Sequence, residues 1–367
     1  MADGVRLREM LTDLPEYRAG QRPAPRTDLV TYKLSSNENP AGAHESVLAT
    51  LPDSAVHLYP DPGSTELLAA LAQYTGVRAD RLAVGCGSVS LCQNAVQITA
   101  DPGDEVVYAW RSFESYPIVT AISGARPVTV PLTAAARHDV QALAAAVGER
   151  TRLLFLCTPN NPTGPALTHA EVLWLLDNTP DDLLVVIDEA YHEYVTAPEA
   201  VCALEIAQAH PNVLLLRTFS KAFGLAGLRV GYGIGSTQVI AAMRKVATPF
   251  GVSGPAQAAA TRALQPAGLA HMYRTVAATV AERDRLAAGL RATGWTVPDS
   301  QANFVWVGTP DAADVTAHLE RHGLTVRPFA GEGIRVSVGP REANDRVLEA
   351  LGGGPANRVM ARGDYPQ

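Results

Sequence analysis

Short apolar runs recur through the middle of the chain with helical stretches between them, and no other feature restricts the fold as strongly. Glu105–Tyr108, Pro127–Pro131, Leu153–Leu156, Leu183–Ile187 and Val213–Leu216 read as strands. Val89–Ile98, Asp139–Val147 and Glu171–Leu176 carry helical periodicity between them. Leu183–Ile187 and Val213–Leu216 are apolar at every position, so both faces of each strand must be covered. Antiparallel sheets usually keep one wet face and alternate; strands apolar on both faces belong to parallel sheets layered with helices. The expectation is an α/β fold whose large domain holds a mostly parallel sheet covered by helices. Ligands of such sheets bind beyond the carboxyl ends of the strands.

Chemistry-bearing residues gather at those ends. Gly87 and Ser88 follow Leu82–Gly85, Phe113 follows the next strand, and Asn160–Gly164 a third. Asp188 ends a fourth, and Lys221 follows a fifth. The stretch from Leu214 to Tyr232 places Lys221 among Thr218, Ser220, Gly224, Gly227 and Arg229. An amine in a partly desolvated pocket sheds its proton and attacks carbonyls to form a Schiff base. A lysine snorkelling out of a strand-to-loop transition would read the same on this stretch alone. Asp188, at the end of a buried strand, needs a cationic partner, and a protonated ring nitrogen supplies one. Schiff-base lysine plus ring-nitrogen aspartate is the pattern of pyridoxal phosphate sites. Gly85-Cys86-Gly87-Ser88-Val89, opening a helix, can cup a phosphate on free backbone N–H groups, although a glycine turn serves equally as plain punctuation.

Composition narrows the partners. With 367 residues, 47% hydrophobic and 18% charged, the chain can build a sizeable core in two or three units. A net charge of −7 leaves no basic footprint for nucleic acid. No apolar run reaches the length of a membrane span, and the first residues lack the h-region of a signal peptide, so a cytoplasmic protein is expected. Cys86, Cys92, Cys157 and Cys202 lack disulfide or metal spacing and are read as small buried apolar groups.

The expected organisation is an N-terminal arm over residues 1–30, a large domain over 31–268 and a small α+β domain over 269–352 packed with the arm, then a flexible tail over 353–367. In the small domain Val276–Leu290 reads as a long helix and Asn344–Leu351 as a closing one. Val305–Val307, Thr325–Arg327 and Ile334–Val338 read as its strands.

Several motifs carry a family resemblance. Asn161-Pro162-Thr163-Gly164, Asp188-Glu189-Ala190-Tyr191 and the run from Ser220 to Arg229 resemble those of fold-type I pyridoxal-phosphate aminotransferases. Asn37-Glu38-Asn39-Pro40, Tyr59-Pro60, Ala302-Asn303-Phe304 and Ile334–Gly339 narrow the resemblance to the histidinol-phosphate aminotransferase branch, over roughly residues 11–351. The resemblance implies pyridoxal 5′-phosphate as cofactor, small-molecule substrates and a homodimer. It makes Lys221 the covalent anchor and proton carrier, Asp188 the partner of the ring nitrogen, and Asn161 and Tyr191 the ligands of the ring hydroxyl. Phe113 takes the place of the stacking ring. Gly87, Ser88, Val89, Thr218, Ser220 and Arg229 hold the phosphate, joined by Tyr59 from the other subunit. Arg335 clamps the substrate's acid group, with Tyr17, Asn37, Asn161 and Arg327 as further substrate contacts. Tyr17, on the arm, is expected to complete the neighbouring subunit's site. Arg327 reads equally as a second anion ligand and as a strand-end surface charge.

Three departures bear on the substrate. The glycine cup lacks an acidic residue, the approach to Phe113 is Trp110-Arg111-Ser112, and the segment between Arg327 and Arg335 is short. These features resemble actinobacterial aromatic amino acid (phenylalanine) aminotransferases. The expected reaction therefore moves an amino group between an aromatic amino acid and a 2-oxo acid such as 2-oxoglutarate. Histidinol-phosphate transamination is the alternative. A decarboxylase on the same scaffold and a non-enzymatic cofactor-binding regulator are weaker readings. His318 and His322, four apart, lack a third metal ligand in the sequence and read as a solvated helix face.

Overall fold

The computed structural model describes residues 5, 7, 8, 11, 14, 17, 20–23, 26–52 and 55–355. Most of the arm and the tail beyond 355 lie outside them. The strands are β1 (Tyr32–Lys33), β2 (Leu82–Gly85), β3 (Glu105–Trp110), β4 (Arg126–Pro131), β5 (Thr151–Cys157) and β6 (Leu184–Asp188). They continue with β7 (Val213–Thr218), β8 (Gly231–Ile234), β9 (Phe304–Gly308), β10 (Leu324–Thr325), β11 (Arg327–Phe329) and β12 (Gly333–Ser337). The central sheet runs β2–β8–β7–β6–β5–β3–β4. Strands β4, β3, β5, β6 and β7 pair in parallel, while β8 runs antiparallel to both its neighbours. The mostly parallel α/β sheet expected from the apolar runs is present.

The reason lies in the alternation of side chains. Leu154, Leu156, Val185, Ile187, Val213 and Leu215 pack into one apolar cluster. Leu153, Phe155, Leu184, Val186, Leu214 and Leu216 pack into a second. Successive strand residues point to opposite faces, so these strands feed two cores and tolerate no polar position until they end. Where they end, the same alternation sorts the polar side chains. Glu189 and Arg217 continue the first face and form a buried ion pair, Arg217 donating from Nε at 2.9 Å and Nη2 at 2.8 Å to Glu189 Oε2. Asp188 and Thr218 continue the second face, toward the ligand side.

A three-stranded antiparallel sheet, β11–β12–β9, forms the C-terminal unit with its own apolar cluster. Two features differ from the sequence reading of this unit. The long helix starts at Pro266 and runs to Ala292, across the boundary expected at 268/269. Its Met272 and Val276 pack into the large unit's core, and its Leu286 and Leu290 into the C-terminal one. Strand β1, placed with the large unit by sequence, pairs instead with β10, Tyr32 opposite Leu324. Two isolated residues carry no periodicity, so nothing local reveals that partner. Thr325–Arg327 proves to be two strands meeting at Val326. The helices over Ser115–Ser123, Thr237–Val246 and Gly254–Ala263 were not anticipated. Cys92 and Cys157 are buried as expected, whereas Cys86 and Cys202 are exposed, because both sit at helix starts outside the cores.

The glycine three residues after Lys221 tests the packing of the loop. Gly224 has φ +72°, and a Cβ there would meet the Gly42 carbonyl carbon at 2.6 Å. Gly224→Ala is expected to lower stability by roughly 1–3 kcal/mol. Gly227→Ala, where a Cβ meets nothing within 4 Å, should change it far less. Thermal melting of the two variants checks the contrast.

Candidate active site

A cavity of about 650 Å³ opens beyond the carboxyl ends of the central strands. Its wall carries Ser88, Val89, Phe113, Asn161, Asp188, Tyr191, Thr218, Ser220, Lys221 and Arg229 from the large unit, and Arg327 and Arg335 from the C-terminal unit. Asn37 and Tyr17 complete it from the N-terminal segment. Tyr17 thus lines the cavity of its own chain, where the sequence reading had given it to a neighbouring subunit. Gly87 lies directly behind the wall. Tyr59 is absent from it: it is 83% exposed and stacks on Phe250, ring centroids 4.7 Å apart.

Lys221 is half-buried and donates from Nζ to the Ser36 carbonyl at 3.0 Å. Burial, reinforced by the Arg335 charge, draws its pKa down to about 7. A surface lysine is protonated at neutral pH; this one is poised between amine and ammonium. Asp188 is buried, and Tyr116 donates its hydroxyl to Oδ2 at 2.9 Å. The other oxygen, Oδ1, is buried with no partner. Burial raises this carboxyl to about 6, against the opposing pull of Tyr116 and the Ala190 N–H. A buried acceptor left open in this way costs free energy that a cationic donor would recover.

The opposite end of the cavity is a cradle of donors. The helix Gly87–Thr99 begins there, presenting its first N–H groups at the positive end of its dipole. Thr218 donates to Ser220 Oγ at 3.0 Å, and Arg229 donates from Nη1 to the same oxygen at 3.1 Å. Gly87, at φ +73°, takes a backbone conformation that favours glycine, and a Cβ there would push the Arg229 guanidinium aside. Arg229 itself takes the left-handed conformation at φ 56°, which turns the chain so that its side chain reaches back over the cup.

Arg335 sits on β12 and is buried. It donates from Nη1 to Asn161 Oδ1 at 2.5 Å and from Nη2 to the Ser35 carbonyl at 2.7 Å, while Nε is buried and open. Asn37 locks the segment beside it. Its Nδ2 donates to the Tyr191 hydroxyl at 2.9 Å, and its Oδ1 accepts from Ser337 at 2.9 Å. Burial holds the Tyr191 hydroxyl well above its ordinary pKa, so it stays protonated. Arg327 bonds Glu114 Oε2 from Nη2 at 2.8 Å on the same wall.

Sequence reasoning missed Tyr116, Glu114 and the carbonyls of Ser35 and Ser36. Tyr116 stacks on Phe155 at 4.3 Å, within a helix whose role only the fold reveals. Asn160, placed at a strand end by sequence, accepts from Ser112 and donates to Thr163, each at 2.8 Å, tying the Asn161 loop to the one that carries Phe113, a role the sequence did not indicate. His192 lies outside this cavity, 3.4 Å from Glu189. Trp110 ends β3 and packs on Tyr108, and Arg341 opens the last helix. His318 bonds the Ala350 carbonyl and His322 the His318 carbonyl; among the described residues no group of His, Cys, Asp and Glu could hold a metal. Among them, too, no helix is long and apolar enough to cross a membrane.

Comparison with known proteins places these observations. The family model for aminotransferases of class I and II matches residues 31–351. An aromatic amino acid aminotransferase of Streptomyces coelicolor is 50% identical over 94% of this chain and 96% of its own length. One of Thermobifida fusca is 50% identical over 93% and 95%. The crystal structure of a histidinol-phosphate aminotransferase from Sinorhizobium meliloti, in complex with pyridoxal-5′-phosphate, superposes with a TM-score of 0.83 at 29% identity, covering 95% of this chain and 97% of that one.

The depressed pKa of Lys221 has a sign that can be measured. Its amine is the reactive form, so labelling by a small amine-directed reagent should rise about tenfold per pH unit below about 7 and level off above it. Peptide mapping of a pH series checks this; a rate still climbing steeply at pH 9 would show that the amine is not desolvated.

Proposed function

The chain belongs to the class I and II aminotransferases, and from that premise we propose that its active site works on aromatic amino acids, with the predicted residues in the roles their positions suggest. Its cofactor is pyridoxal 5′-phosphate, and the residues present fit that group. The observation that carries the reading is the pair of buried groups left open in one cavity, the Asp188 Oδ1 acceptor and the Arg335 Nε donor, with the Lys221 amine on the same wall. Asp188 would take the ring nitrogen on Oδ1, Asn161 and Tyr191 the ring hydroxyl, and Phe113 the ring face. Ser88, Val89, Thr218, Ser220 and Arg229 would hold the phosphate.

When bound, the group supplies an electron-accepting ring for the pair released as the amino acid's Cα–H bond breaks. The protein's part is to orient and to move protons. Arg335 grips the substrate carboxylate and fixes Cα near Lys221. Nζ of Lys221, whose burial favours the neutral amine, takes the Cα proton and can return it. Asp188 in its anionic form keeps a proton on the ring nitrogen and so preserves the ring's electron demand. Tyr116, through Oδ2, holds the carboxylate so that Oδ1 faces the cavity.

The aromatic preference rests on the two relatives of that name and on the wall near Phe113, where Ile118, Val119 and Ile122 present apolar surface. Such a wall suits a phenyl ring and leaves the nitrogens of an imidazole unpaired, at about 1–3 kcal/mol each. The expected outcome is a higher kcat/KM for phenylalanine or tyrosine than for histidinol phosphate, by roughly tenfold or more. The reverse order in a half-reaction screen, followed by the cofactor spectrum, would overturn the substrate while leaving the family in place.

We infer a cytoplasmic homodimer with shared sites. Tyr59 is exposed, stacks on Phe250 and does not line the cavity of its own chain among the described residues. A second copy that brings its cavity to this ring would use it. Lys221→Ala and Tyr59→Ala chains, each weakly active alone, are expected to regain activity when co-expressed with two tags and purified as hybrids. One hybrid site then has both residues. Purified hybrids no more active than the parents would refute sharing.

A further inference from the structure

Arg283 is a buried charge with no place in the cavity that holds Lys221. It sits on the long helix Pro266–Ala292 and is 1% exposed. Its ion-pair partner, Asp284, accepts from Nε at 2.8 Å but has a side chain 62% exposed. Nη1 donates to two backbone carbonyls, Tyr194 at 2.9 Å and Ala302 at 3.4 Å. Gln301 ties the same two segments together: its Oε1 accepts from the Thr196 N–H at 2.7 Å and the Ala197 N–H at 3.0 Å. Taking a guanidinium out of water is costly, and an apolar side chain would fill the same space without that cost. An apolar side chain would not hold two buried carbonyls together, and would leave both short of a donor.

Both joined segments lead into the active site. The Tyr194 N–H closes back onto the Tyr191 carbonyl at 3.0 Å, so the carbonyl that Arg283 holds and the Tyr191 ring ride on one turn. Ala302 stands two residues before Phe304. The Phe304 ring meets the Tyr191 ring edge-on, centroids 5.1 Å apart, and lies under the Arg335 guanidinium, 5.5 Å from Cζ. Between them Asn303 donates from Nδ2 to the Asn37 carbonyl at 3.0 Å, and Asn37 donates to the Tyr191 hydroxyl. We propose that Arg283 is a positioning residue of the active site: by holding the Tyr194 and Ala302 carbonyls together it sets Tyr191 against Phe304, and so fixes the Tyr191 hydroxyl in place for the cofactor's ring hydroxyl. This rests on the reading of Tyr191 as a ligand of that group. Arg283 acts from outside the cavity, through the turn that carries Tyr191.

The test is a double-mutant cycle on the full chain, read as the Kd for pyridoxal 5′-phosphate, with the melting temperature measured beside it. Tyr191→Phe is expected to raise Kd about tenfold. Arg283→Met should raise it by roughly threefold to tenfold on its own, and by less than about twofold when added to Tyr191→Phe. Leu286→Ala, buried in the C-terminal core on the same helix, is the control: it should lower the melting temperature and leave Kd within about twofold of wild type. A merely structural Arg283 would behave like Leu286. An unchanged Kd in Arg283→Met, a rise that persists in full without the Tyr191 hydroxyl, or an equal rise in Leu286→Ala would each overturn the proposal. If the methionine variant fails to fold, Arg283→Lys, whose amine ends one atom short of Nη1, should show the same coupled rise to a smaller extent; no rise there would also overturn it. A wild-type Kd in Tyr191→Phe would refute the reading of Tyr191 and the proposal with it, whereas a loss in Tyr191→Phe with none in Arg283→Met would refute Arg283 alone.

Discussion

A carboxylate buried at the end of a strand with one oxygen unpaired is the constraint on which the site depends. Asp188 follows a run of apolar residues that can lie nowhere but inside the sheet, so the chain has no means of wetting it. Its folded pKa of about 6 lies above the usual carboxylate value. Between those two values the folded protein binds the proton and the unfolded chain does not. This group therefore contributes stability at low pH that is lost as pH rises through about 6. Lys221 has the opposite sign of shift from ammonium to amine: the unfolded chain holds the extra proton from about pH 7 up to its ordinary value, so stability rises over that window. Burial shifts both groups toward their uncharged forms, so each favours a partner of opposite charge. A site of that kind is incomplete as protein alone.

The sheet brings this about with a simple device. On β6 and β7 the period of two hands Asp188 and Thr218 to the ligand face and Glu189 and Arg217 to the opposite one. The Arg217–Glu189 pair satisfies two buried charges on that other face and clamps two adjacent strand ends. Both ligand-side residues are then held by backbone that the ion pair has fixed. Breaking the pair would leave an uncompensated buried charge, which typically costs about 3–5 kcal/mol.

What could be read from the sequence follows from range. Residues at the ends of periodic strands, Gly87, Ser88, Asp188, Thr218, Ser220 and Lys221, were legible because the pattern that makes the strand also says where it stops. Arg335 and Asn161 were legible through the family motifs around them. Tyr116 and Glu114 were not, because helix Ser115–Ser123 gave no periodic warning and their partners lie 72 and 213 residues away. The Ser35 and Ser36 carbonyls could not be found at all, since every residue has a carbonyl. The pairing of β1 with β10 failed for the same reason, and so did the start of the long helix: its first turns follow the large unit's core and its last turns the other.

The closure of the chain's early segment onto its late one sets an order of events during synthesis. Asn37 donates its N–H to Ser337 Oγ across 300 residues, and β1 waits for β10. Contacts this distant in sequence form slowly, because the loop they close must be paid for before they reward it. The large sheet can assemble as its strands leave the ribosome and offers Lys221 to Ser36 and Tyr191 to Asn37, but the Ser35 carbonyl and the Asn37 N–H must wait for Arg335 and Ser337 of β12. A truncated chain ending before Gly333 would hold the lysine, the aspartate and the donor cradle without the Arg335 side of the cavity. The closed cavity is therefore a property of the finished polypeptide, and nascent chains still carrying this segment loose would present it as an unpaired strand.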